Sequence, residues 1–134
     1  MYTASCLCNG VQLIIKQEIS KIFICHCKQC QKAQGSAFVA IVPIQVENLE
    51  FKKGNELIGE YYATDNKKRT FCKKCAAPLF SARLDFPDVI RLRVGIINES
   101  LHVKVYSHSF TNYKVKWLDI PQDGSLCFLG SVQI

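Results

Sequence analysis

Residues 25–30 of this chain read CHCKQC, so three cysteines fall within six positions. The spacing C-x-x-C lets two thiolates hold one metal ion from a single tight turn. In an extended segment side chains alternate between two faces, so Cys25 and Cys27 are expected to share one face and His26 to take the other. As a ligand, His26 would complete a Cys3His site. We favour a structural role for it, or a role in supporting the ligands.

Two further cysteine motifs lie on either side of this middle motif, CLC at residues 6–8 and CKKC at residues 72–75. A C-x-C and a C-x-x-C together supply four sulfurs, which is the donor set of a closed, tetrahedral structural zinc site. Thiolates select zinc over magnesium, calcium or manganese. The middle motif would then hold a second metal with three ligands and one open position, as catalytic zinc sites do. Spacing alone also allows the first motif to share a metal with the middle one.

The composition is that of a globular protein, with 134 residues, 49% hydrophobic and 21% charged. This length predicts one domain, spanning residues 1–134. No signal peptide is readable at the N-terminus, and the longest apolar run, Ala37–Val46, is too short to span a bilayer. We therefore predict a cytoplasmic protein without a membrane partner. In that reducing compartment eight cysteines indicate metal binding rather than disulfides.

The formal net charge of +6 favours anionic partners, either small acidic molecules or nucleic acid. The basic residues are spread along the chain. No series of aromatic residues interleaved with lysine or arginine is present, which disfavours nucleic acid.

Short β-branched and aromatic segments bounded by Gly, Pro, Asn or Asp predict a mostly antiparallel, all-β fold. The predicted strands are Val11–Lys16, Lys21–Cys25, Ala37–Ile44, Leu49–Lys52, Leu57–Ala63, Lys68–Cys72, Leu79–Leu84, Val89–Val94 and His102–Ser107. Only Lys28–Gln34 is predicted to be helical. The tail after Trp117 is expected to pack as an ordered wrap, because Trp117, Leu118, Ile120, Phe128 and Leu129 need burial. Cys127 is interpreted as a small core residue.

Taken together, these segments resemble the family of glutathione-dependent formaldehyde-activating enzymes, which also includes centromere protein V. The resemblance covers about Ser5 to Asp119. It rests on residues 6–11 (CLCNGV), 25–32 (CHCKQCQK), 35–38 (GSAF), 69–75 (RTFCKKC), Leu79-Phe80 and the late Trp117.

The resemblance implies a β-tent-type fold and two zinc ions. It assigns Cys6, Cys8, Cys72 and Cys75 to the structural zinc, and Cys25, Cys27 and Cys30 to the catalytic one. It also implies the activity of an S-(hydroxymethyl)glutathione synthase, a carbon–sulfur lyase that joins glutathione and formaldehyde. The glycine that usually follows the last motif is Ala76 here, so this turn must form without an easily left-handed residue.

Cations near the motifs are candidate substrate-binding residues. A zinc ion with three cysteinates carries a formal charge of about −1, so nearby cations would favour a fourth thiolate. Lys28, Lys32 and Arg69 are the candidates, and they could also bind the carboxylates of glutathione. Ser36 could lie in a loop beside the open zinc, or Gly35 could simply end the helix. His102 and His108 are interpreted as packed or surface residues.

Two other classes of function fit the same residues. A non-enzymatic zinc-binding interaction module would have a middle motif that is metal-free or closed by His26. A thiol redox protein would oxidise Cys25, Cys27 and Cys30 reversibly.

Overall fold

The computed structural model describes residues 1–132. Strands make up 45% of the chain and helices 14%, which confirms the predicted all-β class. The strands are β1 Tyr2–Ser5, β2 Gln12–Ile15, β3 Ile22–Cys25, β4 Val39–Gln45, β5 Leu49–Lys53, β6 Ile58–Thr64, β7 Lys67–Cys72, β8 Pro78–Arg83, β9 Phe86–Arg93, β10 Val105–Ser109 and β11 Leu126–Cys127. The helix α1 spans Lys28–Gln34, as predicted, and short 3-10 helices lie at Val46–Asn48, Asn55–Leu57, Val94–Ile96 and Thr111–Tyr113.

Contacts between Cα atoms divide the chain into two compact units. The first comprises residues 1–18 and 42–101, and the second comprises residues 19–41 and the chain from residue 102 onward. Strand β4 therefore begins in the second unit and ends in the first. The single domain over residues 1–134 remains a prediction.

The first unit is antiparallel throughout its named strand pairs. Strand β2 pairs with β1 and β5, and β6 to β9 follow one another as a meander. Along β2, Leu13 and Ile15 are buried and alternate with less buried residues, as a strand with one face on the core requires. Near-complete burial of Val11, Ile44, Leu79 and Leu92 completes this core.

The second unit is organised around β3, which pairs with a different kind of strand on each side. It runs antiparallel to β4, with Phe23 opposite Ile41, and parallel to β10, with Cys25 opposite Ser109. Strand β11 is also parallel to β10. The strands of the second unit therefore form a mixed parallel and antiparallel arrangement. Phe23, Cys30, Val39 and Ile41 form its buried cluster, with Cys25 and Cys27 packed against it.

The C-terminal part of the sequence-based prediction is wrong in several details. The strand expected at His102–Ser107 begins three residues later, at Val105–Ser109, and β11 was not predicted. At the other end of the chain, β1 was not predicted either. Trp117 is 74% exposed and Leu129 73% exposed, so neither is covered by the tail. Leu118 and Cys127 are also exposed. Cys127 lies in a strand of only two residues, which is too short to be built into a core.

Within residues 1–132, no helix has both the length and the apolar character needed to cross a membrane.

Candidate metal centres

The cysteines of the first and last motifs come together in the first unit and form what we call the four-sulfur group. The Sγ atoms of Cys6, Cys8, Cys72 and Cys75 all lie within 4.8 Å of one another. The Sγ of Cys8 is 3.6 Å from that of Cys6 and 3.8 Å from that of Cys72. A zinc ion with Zn–S distances of about 2.3 Å would place its tetrahedral ligands about 3.8 Å apart. The donor set and its spacing therefore fit a tetrahedral zinc ion.

Two turns of similar design position these sulfurs. In the first, the N–H of Asn9 donates to the carbonyl of Cys6 at 3.0 Å, and in the second the N–H of Ala76 donates to the carbonyl of Cys72 at 2.8 Å. Asn9 has φ 62° and Ala76 has φ 63°, so both turns use a left-handed residue directly after their second cysteine. The C-x-C motif of residues 6–8 therefore lies in a turn beyond the end of β1 and not in an extended segment. Ala76 adopts the conformation that a glycine would take more easily.

Backbone N–H groups point at the sulfurs of this group. Burial, and to a lesser degree Cys75, raise the pKa of Cys6. The N–H of Val11, donating to its sulfur at 3.2 Å, and hydrogen bonds with Cys8 and Cys72 outweigh them, so the pKa falls. The N–H of Ala77 is the main cause that lowers the pKa of Cys75 to about 6.

At Cys8 the crowding of the sulfurs raises the pKa of the thiol. The N–H of Gly10 lowers the pKa of this thiol, but burial and the three neighbouring cysteines raise it to about 11. Four thiolates without a cation repel one another, whereas a bound divalent cation deprotonates coordinating thiols. The electrostatics of the group therefore suit a metal ion.

The middle motif forms a separate three-sulfur group in the second unit. The Sγ atoms of Cys25, Cys27 and Cys30 lie within 4.8 Å of one another. Cys25 ends β3, and Cys27 precedes α1 with φ −63° and ψ 154°. The N–H of Cys30 donates to the Sγ of Cys27 at 3.3 Å, so Cys27 is also the N-cap of the helix. A strand end followed at once by a helix start thus brings three cysteines together within six residues.

This group offers three donors, two of them accessible. Cys25 and Cys27 are half-buried and Cys30 is buried. Among residues 1–132, no histidine, cysteine, aspartate or glutamate joins the three sulfurs as a fourth potential ligand. Hydrogen bonding with Cys27 and Cys30, together with burial, raises the pKa of the Cys25 thiol. The three sulfurs therefore also suit a metal ion, with a position left for another ligand.

His26 lies outside the three-sulfur group and pairs with His108. Its Nε2 is 2.9 Å from Nδ1 of His108, and the two rings stack with centroids 5.2 Å apart. Burial, then the neighbouring His108 and Lys114, lower the pKa of His26 to about 4. Burial also lowers the pKa of His108. The pairing was not predicted, because no sequence spacing links His26, just after β3, to His108 on β10, and the two meet only where these strands pair.

The other predicted site residues are distributed over both units. Lys28 and Lys32 are exposed on α1, and Ser36 is exposed just after it. Gly35 has φ 63° and its N–H donates to the carbonyl of Gln31, so Gly35 ends the helix. Arg69 is buried on β7 in the first unit, opposite Tyr61 and Ser81. The structure thus places Lys28 and Lys32 in the unit of the three-sulfur group and Arg69 in the unit of the four-sulfur group.

Comparisons with known proteins identify the family and a similar fold. The family model described as glutathione-dependent formaldehyde-activating enzyme matches residues 1–113. The fold resembles the crystal structure of a Rhodobacter sphaeroides protein that was a structural genomics target, with a TM-score of 0.62. That chain is 18% identical, and the match covers 94% of this chain and 98% of that one. No match was found among curated protein sequences. By its sequence over most of its length, the chain belongs to the family of glutathione-dependent formaldehyde-activating enzymes.

Proposed function

We propose that the protein is a zinc-dependent carbon–sulfur lyase that joins or cleaves a small thiol, such as glutathione, and an aldehyde such as formaldehyde. The observation that carries the proposal is the three-sulfur group, with three converging donors and no fourth ligand among residues 1–132. Membership of the family supports the choice of thiol and aldehyde. The eight cysteines are free thiols, which suits the reducing cytosol as the location of the protein.

In this proposal the two groups hold one zinc ion each and have different roles. The four-sulfur group is closed by protein ligands and is structural. The three-sulfur group is catalytic, and Cys25, Cys27 and Cys30 are its ligands. A zinc ion held by these three sulfurs would lower the pKa of a bound thiol and so supply a thiolate nucleophile at neutral pH.

The chain itself orients and neutralises the reactants. The N–H of Cys30 stabilises negative charge on the Sγ of Cys27. Lys28 and Lys32, exposed on the helix that begins at the group, would bind the carboxylates of glutathione. Arg69, which is buried in the first unit, is not part of this proposed site. In the joining direction, the thiol sulfur forms a bond to the aldehyde carbon, the carbonyl π bond breaks, and the thiol proton ends on the aldehyde oxygen. The product is S-hydroxymethylglutathione, and no oxidant or reductant is needed.

The test measures zinc per chain and catalysis together. The exchange between formaldehyde and S-hydroxymethylglutathione is followed by NMR with ¹³C-labelled formaldehyde, using protein purified without chelator. We expect two zinc ions per chain and an exchange rate above the uncatalysed one. Cys27→Ser should retain one zinc ion and lose the acceleration, while Cys127→Ser, which removes an exposed cysteine outside both groups, should behave like the wild type.

Two results would contradict the proposal. One is a protein with two zinc ions that leaves the exchange rate at its uncatalysed value. The other is a Cys27→Ser variant that accelerates the exchange as well as Cys127→Ser does.

A further inference from the structure

The second unit contains a cavity of about 290 Å³. The buried residues Ile24, His26 and His108 line it, together with Phe38, Val105 and residues of the segment 118–123. An apolar cavity of about 150 Å³ binds benzene, so this one has room for a molecule of about ten to twelve non-hydrogen atoms. In the described part of the chain its lining includes no cysteine. The cavity is therefore distinct from the three-sulfur group.

The polar part of the lining is the histidine pair. His26 is 2% exposed, and its Nδ1 is buried without a hydrogen-bond partner among residues 1–132. Its other nitrogen is already used in the hydrogen bond to Nδ1 of His108. Buried polar atoms in folded proteins are normally hydrogen-bonded, because an unmet one costs stability. Nδ1 of His26 is itself sealed from the cavity, so the nitrogen of the pair that is left for a ligand is Nε2 of His108, which also lines the cavity.

The pair also selects the kind of polar group that fits. An N–H···N bond between two neutral imidazoles uses one donor and one acceptor, and it leaves one donor nitrogen and one acceptor nitrogen over. A hydroxyl group both donates and accepts, so it can satisfy whichever nitrogen faces it. An ionised carboxylate only accepts, and the exposed carboxylates of Asp119 and Asp123 in the lining repel it.

From these observations we propose that the cavity binds a small, uncharged phenol or alcohol whose apolar body fills the pocket and whose hydroxyl pairs with Nε2 of His108, the accessible end of the histidine pair. The apolar body would contact Ile24, Phe38 and Val105. This site uses neither the cysteines nor a thiol or aldehyde, so it stands independently of the proposed lyase activity.

The first test compares three probes of one shape by ligand-observed NMR on the intact, metal-loaded protein. These are 1-naphthol, naphthalene and 1-naphthoate. We expect saturable binding of 1-naphthol, with a dissociation constant lower by about tenfold or more than that of either other probe. Absence of saturable binding of 1-naphthol at millimolar concentration would overturn the proposal. Naphthalene or 1-naphthoate binding as tightly as 1-naphthol would overturn the assigned ligand class.

The second test fills the cavity. Ile120, half-buried in the lining, is replaced in Ile120→Trp, and the matched control Leu129→Trp adds the same side chain at an exposed residue outside it. We expect 1-naphthol binding to weaken at least about tenfold in Ile120→Trp and to remain unchanged in Leu129→Trp. If Ile120→Trp does not fold, as judged by circular dichroism and zinc content, Val105→Phe takes its place. Equal binding by a folded filling variant and by the control would overturn the location of the site.

Discussion

The four-sulfur group draws its cysteines from turns far apart in sequence, since Cys8 and Cys72 are separated by 64 in residue number. The three-sulfur group takes all of its cysteines from residues 25–30. A metal in the first group therefore closes a long loop, which restricts the unfolded chain strongly. A metal in the second group links residues that the end of β3 and the start of α1 already bring together. This difference supports the proposed division, in which the first group stabilises the fold and the second serves chemistry.

The largest expected effect separates the two groups by stability. Cys72→Ser removes a ligand that joins the two turns, and structural zinc binding contributes about 10 kcal/mol in small zinc domains. Since a whole domain is stable by only about 5–15 kcal/mol, we expect most of the first unit to unfold. Cys27→Ser keeps an N-cap acceptor at the start of α1, so we expect the free energy of unfolding to fall by less than about 2 kcal/mol.

The measurement is chemical denaturation, with zinc content determined on each variant. Equal destabilisation by Cys72→Ser and Cys27→Ser would show that the division into a structural and a catalytic group is wrong.

An intermediate effect compares two glycines with positive φ, one in the unit of each group. Gly54 has φ 87°, and a Cβ there would lie 2.1 Å from the carbonyl oxygen of Gly10, close to the first turn. Gly35 has φ 63° and nothing within 4 Å of a Cβ. Gly54→Ala combines left-handed backbone strain with a backbone clash, so we expect it to lower the free energy of unfolding by about 3 kcal/mol or more.

Gly35→Ala adds left-handed strain alone and should cost about 1–2 kcal/mol. The free energy of unfolding of both variants gives the comparison. A cost for Gly35→Ala as large as that for Gly54→Ala would mean that close backbone packing beside the first turn matters less than we infer.

The smallest effect is a gain in stability at the second turn. Ala76 has φ 63°, in the region that costs a residue with a Cβ about 1–2 kcal/mol. Ala76→Gly relieves this strain but adds freedom to the unfolded chain, which costs about 0.4–1 kcal/mol. We expect a net stabilisation of about 0.5–1 kcal/mol, read from the shift in Tm with the zinc content unchanged.

Ala82→Gly provides a matched control, because Ala82 lies within β8 in register with Lys68 and Ile90, where glycine weakens a strand. Stabilisation by both glycine substitutions would contradict the assignment of the gain to the left-handed turn.

The sequence by itself determined the all-β class, the helix at Lys28–Gln34 and the presence of three cysteine motifs with the spacing of metal ligands. These features depend on local pattern, because strand propensity, turn residues and ligand spacing act over a few positions. Strand ends were less well determined, as the shift of β10 to Val105–Ser109 shows. The position of β10 is fixed by its parallel pairing with β3. Because β3 is distant in sequence, the ends of β10 cannot be read from local pattern.

Only the tertiary structure decided which cysteines meet. Spacing allowed the first motif to join either of the other two, and the packing of the first unit brings it to the last motif. The pairing of His26 with His108, the cavity beside them and the exposure of Trp117 and Cys127 are likewise products of packing. No local pattern predicts these features, because burial and contact depend on where the sheet brings distant segments together.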